Sequence, residues 1–153
     1  MQAAVWTVPA IRMKGGREHR VPLSKPALAI LRTVATLRPE KATDAYVFHG
    51  ARAGKPLSVM AMAMVLRRMK RADITVHGFR STFRDWCSES AGCPREVAEA
   101  ALAHTLGDKV EAAYRRGDLF ERRRRLMQDW GAWCSRPGGS AEVVSLRRGG
   151  PTG

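Results

Sequence analysis

In the stretch VHGFRSTFRDW, residues 76–86, a histidine and an arginine stand three positions apart, with aromatics interleaved and following. A planar guanidinium can grip an oxyanion through parallel N–H bonds, and an imidazole can give or take a proton near neutral pH. At about 100° per residue on a helix, His77, Arg80 and Arg84 form one stripe. Phe79, Phe83 and Trp86 form another, pointing almost the opposite way. One face suits a core and the other presents cations. A phosphate grip fits this pattern, and so does a plain solvated polar face.

Three further residues could take part in such chemistry. Lys14 sits in a Gly-rich turn, His104 ends the stretch REVAEAALAH, and Tyr114 follows ten residues later. A phenol titrates near pH ~10, so Tyr114 needs help to act as a nucleophile at neutral pH. Taken singly, each has a plainer account. Lys14 fits a solvated turn cation, His104 a hydrogen-bonded core histidine, and Tyr114 an ordinary amphipathic-helix residue. His19 and His49 read as surface residues. Arg122 to Arg125 read as a solvated helix face, with contact to a nucleic-acid backbone as the alternative. The run VMAMAMVL at 59–66 reads as core.

The elements that must position these residues follow from pattern. VWTVPA (5–10) and HRVPLS (19–24) are strand-like, and Gly15-Gly16 between them makes a β-hairpin turn. Ser24 caps a helix to about residue 37. AYVFHGARAGKPLS holds a short strand and a Gly-rich loop, and Ser58 caps a helix to about Arg71. The His77–Trp86 helix comes next, followed by one with Pro94 as its first residue and Val97, Ala101 and His104 on its apolar side. Residues 107–117 form a short helix closed by Gly117. Asp118 and Glu121 form a capping box for the last helix, which buries Phe120, Leu126, Met127, Trp130 and Trp133. From Ser135 onward the chain is Gly-rich and aperiodic, a disordered tail.

Composition narrows the partner. Lys plus Arg number 27 against 14 Asp plus Glu, a net charge of +13 over 153 residues. A chain this basic points to a polyanion, with nucleic acid ahead of a membrane surface. The three cysteines, Cys87, Cys93 and Cys134, form no C-x-x-C pair. They read as reduced thiols in a cytoplasmic protein, with no disulfide framework, metal site or cofactor. The N-terminal residues lack a signal-type apolar segment, and no apolar run is long enough to span a bilayer.

Lys14 in RMKGGREHRVPLS, His77-x-x-Arg80, His104 in LAH, and Tyr114 in GDKVEAAYRRGDLFERRRRLM occur in one order. That order resembles the catalytic domain of the tyrosine recombinases, or phage integrases, of prophage and genomic-island type. The resemblance covers roughly residues 6 to 134. It implies a mainly α fold with a small antiparallel sheet, incomplete at its N-terminus. Residues 1–134 would be a partial catalytic domain and 135–153 the tail. It also implies site-specific recombination of double-stranded DNA through a 3′-phosphotyrosyl intermediate, with self-association in a synaptic complex. Tyr114 would be the nucleophile and Arg80 the phosphate clamp. His77 would orient or deprotonate the nucleophile, His104 would donate to a phosphate oxygen, and Lys14 would protonate the leaving 5′ oxygen. The family's first catalytic arginine, on a helix well ahead of the lysine, has no counterpart in these residues. Arg12 lies on the hairpin and does not fit that motif. The expected activity is therefore impaired, and a non-catalytic DNA-binding remnant is the alternative.

Overall fold

The computed structural model describes residues 4–37, 46–52, 54–104 and 119–137. Strands β1 (Val5–Val8) and β2 (His19–Pro22) pair antiparallel, with Val5 opposite Pro22 and Val8 opposite His19. Both are shorter than expected. Pro9 has no N–H to continue a ladder, and it opens a 3₁₀ turn at Ala10–Arg12 instead. Lys14 and Gly15 lie in the turns that follow, and Gly16 takes the left-handed φ of 61° that reverses the chain.

Helix α1 (Lys25–Thr36) starts as its sequence dictates. Ser24 Oγ accepts from the Ala27 amide at 3.4 Å, and Pro26 occupies the first turn, where its missing N–H costs nothing. The strand expected within 45–58 is, among the described residues, reduced to an isolated bridge between His49 and Pro56. Helix α2 (Ala61–Arg68) starts later than Ser58, whose hydroxyl accepts from the Met60 amide at 3.2 Å in the preceding turn. The VMAMAMVL run is not core. Val59 is 97% exposed, and Met60, Met62, Met64 and Val65 are also exposed. Apolar composition favours burial only where a partner surface exists. The principal packing joins β1 to β2, α1 to the helix at Phe120–Cys134, that helix to β2 and to the helix at Arg95–Ala101, and the latter to the helix at Gly78–Glu89; α2 belongs to none of these pairs.

Helices α3 (Gly78–Glu89), α4 (Arg95–Ala101) and α5 (Phe120–Cys134) build the core. Phe83, Trp86 and Cys87 of α3 meet Val97 and Ala98 of α4 and Leu126 of α5, with Met127 and Trp130 packed around them. Trp130 meets Phe83 edge-on at 5.3 Å and stacks on Trp133 at 5.0 Å. Phe79 was expected on the same buried face but is 47% exposed. The core covers only the C-terminal two-thirds of α3, leaving its first turn outside. Trp133, at the far end of the cluster, is also exposed.

The last helix departs from expectation at both its cap and its arginines. Its N-cap is Leu119, at φ 53° and without a side-chain cap, while Glu121 pairs with Arg124 at 3.3 Å. Asp118 lies outside the described residues, as do the 107–117 helix and residues 138–153 of the expected tail. Arg123 is only 2% exposed, so it is no part of a solvated face. Its Nη1 donates to the Arg20 carbonyl of β2 at 2.7 Å, tying the hairpin to α5. Against α1, Gly131 permits the closest approach. A Cβ there would lie 2.6 Å from Ser24 Oγ and 2.8 Å from Ser24 Cβ. The fold is mainly α with a small antiparallel sheet. Among the described residues, no helix is long and apolar enough to cross a membrane.

Candidate active site

The site is built where α3 passes the end of α4. A bidentate pair, Arg71 to Asp73 at 2.8 and 2.7 Å, braces the approach to α3, and its guanidinium holds the Asp73 carboxyl below the usual carboxylate range. Thr75 Oγ1 then accepts from the Gly78 amide at 3.0 Å, satisfying one donor at the helix start. His77 is the N-cap residue and Arg80 follows within the first turn, both exposed.

Helix α4 begins at Arg95, with Pro94 as its N-cap rather than its first residue. It ends in a Schellman motif. Ala103 adopts φ 55°, the His104 amide donates to the Glu99 carbonyl at 2.9 Å, and the Ala103 amide donates to the Ala100 carbonyl at 3.2 Å. His104 therefore does not ride on the apolar face of α4. The left-handed residue turns it off the helix end and aims it at α3.

There His104 meets Arg80. Arg80 Nη2 lies 2.7 Å from His104 Nε2 and 2.7 Å from the Leu102 carbonyl oxygen. A guanidinium is always a donor, so Nε2 is the acceptor and the imidazole proton sits on Nδ1. Nδ1 lies 2.6 Å from Glu99 Oε2. The other carboxylate oxygen, Oε1, lies 3.0 Å from Arg84 Nη2, although the angle is not that of a hydrogen bond. Nη2 of Arg80 spends both its protons on protein acceptors, and among the described residues the N–H groups of Nε and Nη1 are left for an incoming oxyanion.

Of the five residues singled out from sequence, the structure brings Arg80 and His104 into direct contact. His77 lies one turn from Arg80 but outside that hydrogen-bonded set. Lys14 is exposed at the hairpin turn, and among the described residues no hydrogen bond or ion pair joins it to that set. Tyr114 lies outside the described residues. Sequence reading missed Glu99. The available signal was faint: an acid among the apolar residues of REVAEAALAH, five positions before the histidine.

The Phage integrase family matches residues 1–118. Prophage integrase IntA of Escherichia coli K12 is 38% identical over 130 residues, covering 84% of this chain and 30% of that protein. Prophage integrase IntZ of the same organism is 34% identical over 131 residues, covering 85% and 32%. The integrase of Shigella phage Sf6 is 30% identical over 129 residues, covering 83% and 33%. No solved structure matches. The chain belongs to the phage integrase family, and it spans about a third of the length of these relatives.

Proposed function

We propose that this chain carries catalytic residues of a tyrosine-type site-specific recombinase, which integrates or excises a mobile element. The observation that carries the reading is the 2.7 Å contact between Arg80 and His104, residues 24 apart in sequence. Family membership and the net charge of +13 support it. The substrate is double-stranded DNA, bound in the bacterial cytoplasm by protomers that associate in a synaptic complex.

Tyr114 Oη attacks the scissile phosphorus and loses its proton to solvent or to His77. Arg80 gathers the non-bridging oxygens and offsets charge on the pentacoordinate transition state. The P–O5′ bond breaks, and Lys14 supplies the proton that the departing oxygen takes. The 3′-phosphotyrosyl bond conserves the phosphoryl linkage for rejoining by a second 5′ hydroxyl. Such chemistry rests on positioning and charge and requires no metal. Once the phosphate draws Arg80 Nη2 away from His104 Nε2, that nitrogen takes up a proton and donates to a phosphate oxygen, with Nδ1–H still on Glu99. These residues include no counterpart of the family's first catalytic arginine, so turnover by this chain alone is slow.

The test is a nicked duplex spanning the junction between the encoding element and its chromosome, which traps a covalent protein–DNA species. Trapping by wild type that disappears in Tyr114→Phe supports the reading. Equal trapping by both sinks the assignment of the nucleophile. Salt-sensitive DNA binding without trapping, even after the upstream sequence is restored, would instead favour a non-catalytic DNA-binding remnant.

A further inference from the structure

Glu99 is 5% exposed, in the middle of a helix whose neighbouring Val97 and Ala98 are core. A buried carboxylate costs stability unless it is paired, and an apolar residue would serve packing better there. Its contacts show what it is paired with. Oε2 accepts from His104 Nδ1 at 2.6 Å, its own main-chain oxygen accepts from the His104 amide at 2.9 Å, and Oε1 faces Arg84 at 3.0 Å. Arg84 lies one helical turn beyond Arg80. A single residue thus holds the histidine by its main-chain oxygen and the ring by its carboxylate, which also draws in the next cation of the Arg80 stripe.

The ring is constrained on two sides. Arg80 can only donate, so Nε2 must offer a lone pair, and Nδ1 must carry the proton that Glu99 receives. If the imidazole flipped or changed tautomer, an N–H would oppose the guanidinium and a lone pair would oppose the carboxylate. We propose that Glu99 is a positioning residue of this site, fixing the tautomer and orientation of His104 so that His104 Nε2 and Arg80 face an incoming phosphate as a preset pair. Its purpose rests on the recombinase reading, but the tautomer can be measured without it.

Long-range ¹H–¹⁵N spectra of the histidine rings in the full chain at neutral pH read this directly. Wild-type His104 shows the Nδ1–H tautomer. In Glu99→Leu, which keeps bulk but has no acceptor, only Arg80 still favours Nδ1–H, so the Nδ1–H share falls as the ring loses its second constraint. In Glu99→Ala, added formate occupies the vacated carboxylate position and restores the Nδ1–H signal. Wild-type His104 in the Nε2–H form overturns the proposal, and this holds even where a variant does not fold. An Nδ1–H share unchanged from wild type in folded Glu99→Leu or formate-free Glu99→Ala overturns it too. On DNA that wild type cleaves, Glu99→Ala lowers the single-turnover rate at saturating DNA by at least about tenfold, with DNA affinity nearly unchanged. If affinity falls in step and the rate at saturation holds, Glu99 acts only on binding and the proposal fails. A wild type that cleaves no DNA removes the recombinase reading and leaves the tautomer result standing.

Discussion

Arg80 and His104 meet through one nitrogen, Nη2, which also donates to the Leu102 carbonyl at the end of α4. The guanidinium is thereby anchored to main chain and ring together, while among the described residues its other N–H groups have no partner. Lysine keeps the charge but has neither the planar fork nor the reach for three acceptors. Arg80→Lys should lower DNA cleavage by about 10²–10³-fold, the usual cost of losing one charge-stabilising donor. DNA binding, spread over many cations, should fall far less. Single-turnover cleavage beside a binding titration separates the two. A uniform loss in both would assign Arg80 to general affinity alone.

Ala103 sets the direction of His104 from a left-handed conformation, φ 55°, that an alanine adopts at a cost of ~1–2 kcal/mol. Glycine has no such penalty, although it loses more freedom on folding. Ala103→Gly should therefore stabilise the protein, by up to about 1 kcal/mol. Urea unfolding checks this. A loss of stability would mean that the Schellman turn is not what orients His104.

Gly131 inverts the ordinary rule for helix interiors. Glycine to alanine there normally gains about 1 kcal/mol. Here the added Cβ would sit 2.6 Å from Ser24 Oγ and 2.8 Å from Ser24 Cβ. Ser24 caps α1, so moving it aside breaks the Ala27 bond. Gly131→Ala should destabilise by about 1–3 kcal/mol, the range for overpacking. Thermal unfolding decides the sign, and a stabilised variant would show that α1 and α5 can part freely.

Much of this architecture was legible because local chemistry dictates it. The Ser24 cap, the hairpin turn at Gly15-Gly16, and the Phe83–Trp86 face each follow from rules acting within a few residues. What was not legible depends on distant partners. Phe79 and the methionines of α2 match buried patterns, but burial requires another surface. Arg123 lies in a run of four arginines and is set apart by burial and by the Arg20 carbonyl 103 residues away. Arg80 and His104 were identifiable by type and order. Glu99 was not, because its role appears only when the α4 end folds His104 back over it. The roles of all five, Lys14, His77, Arg80, His104 and Tyr114, rest on resemblance.

Cys87 gives a pH signature of the core itself. Burial among Trp86, Val97 and Leu126, with Cys93 beside it, pushes its thiol up to about 12. An unfolded thiol ionises near pH ~8.5. Between these values the unfolded chain has released a proton that the native chain retains, so the unfolded state binds fewer protons. Stability then falls as pH rises. The contribution is intact below about pH 8.5 and is lost progressively toward about 12. Denaturant midpoints should accordingly drop more steeply across the alkaline range in wild type than in Cys87→Ala, once the neutral-pH cost of the cavity is subtracted. At neutral pH, alkylation should reach exposed Cys134 well before Cys87, whose labelling waits on unfolding. Equal labelling rates in native protein, with parallel alkaline profiles for the two chains, would place Cys87 outside the packed centre of α3, α4 and α5.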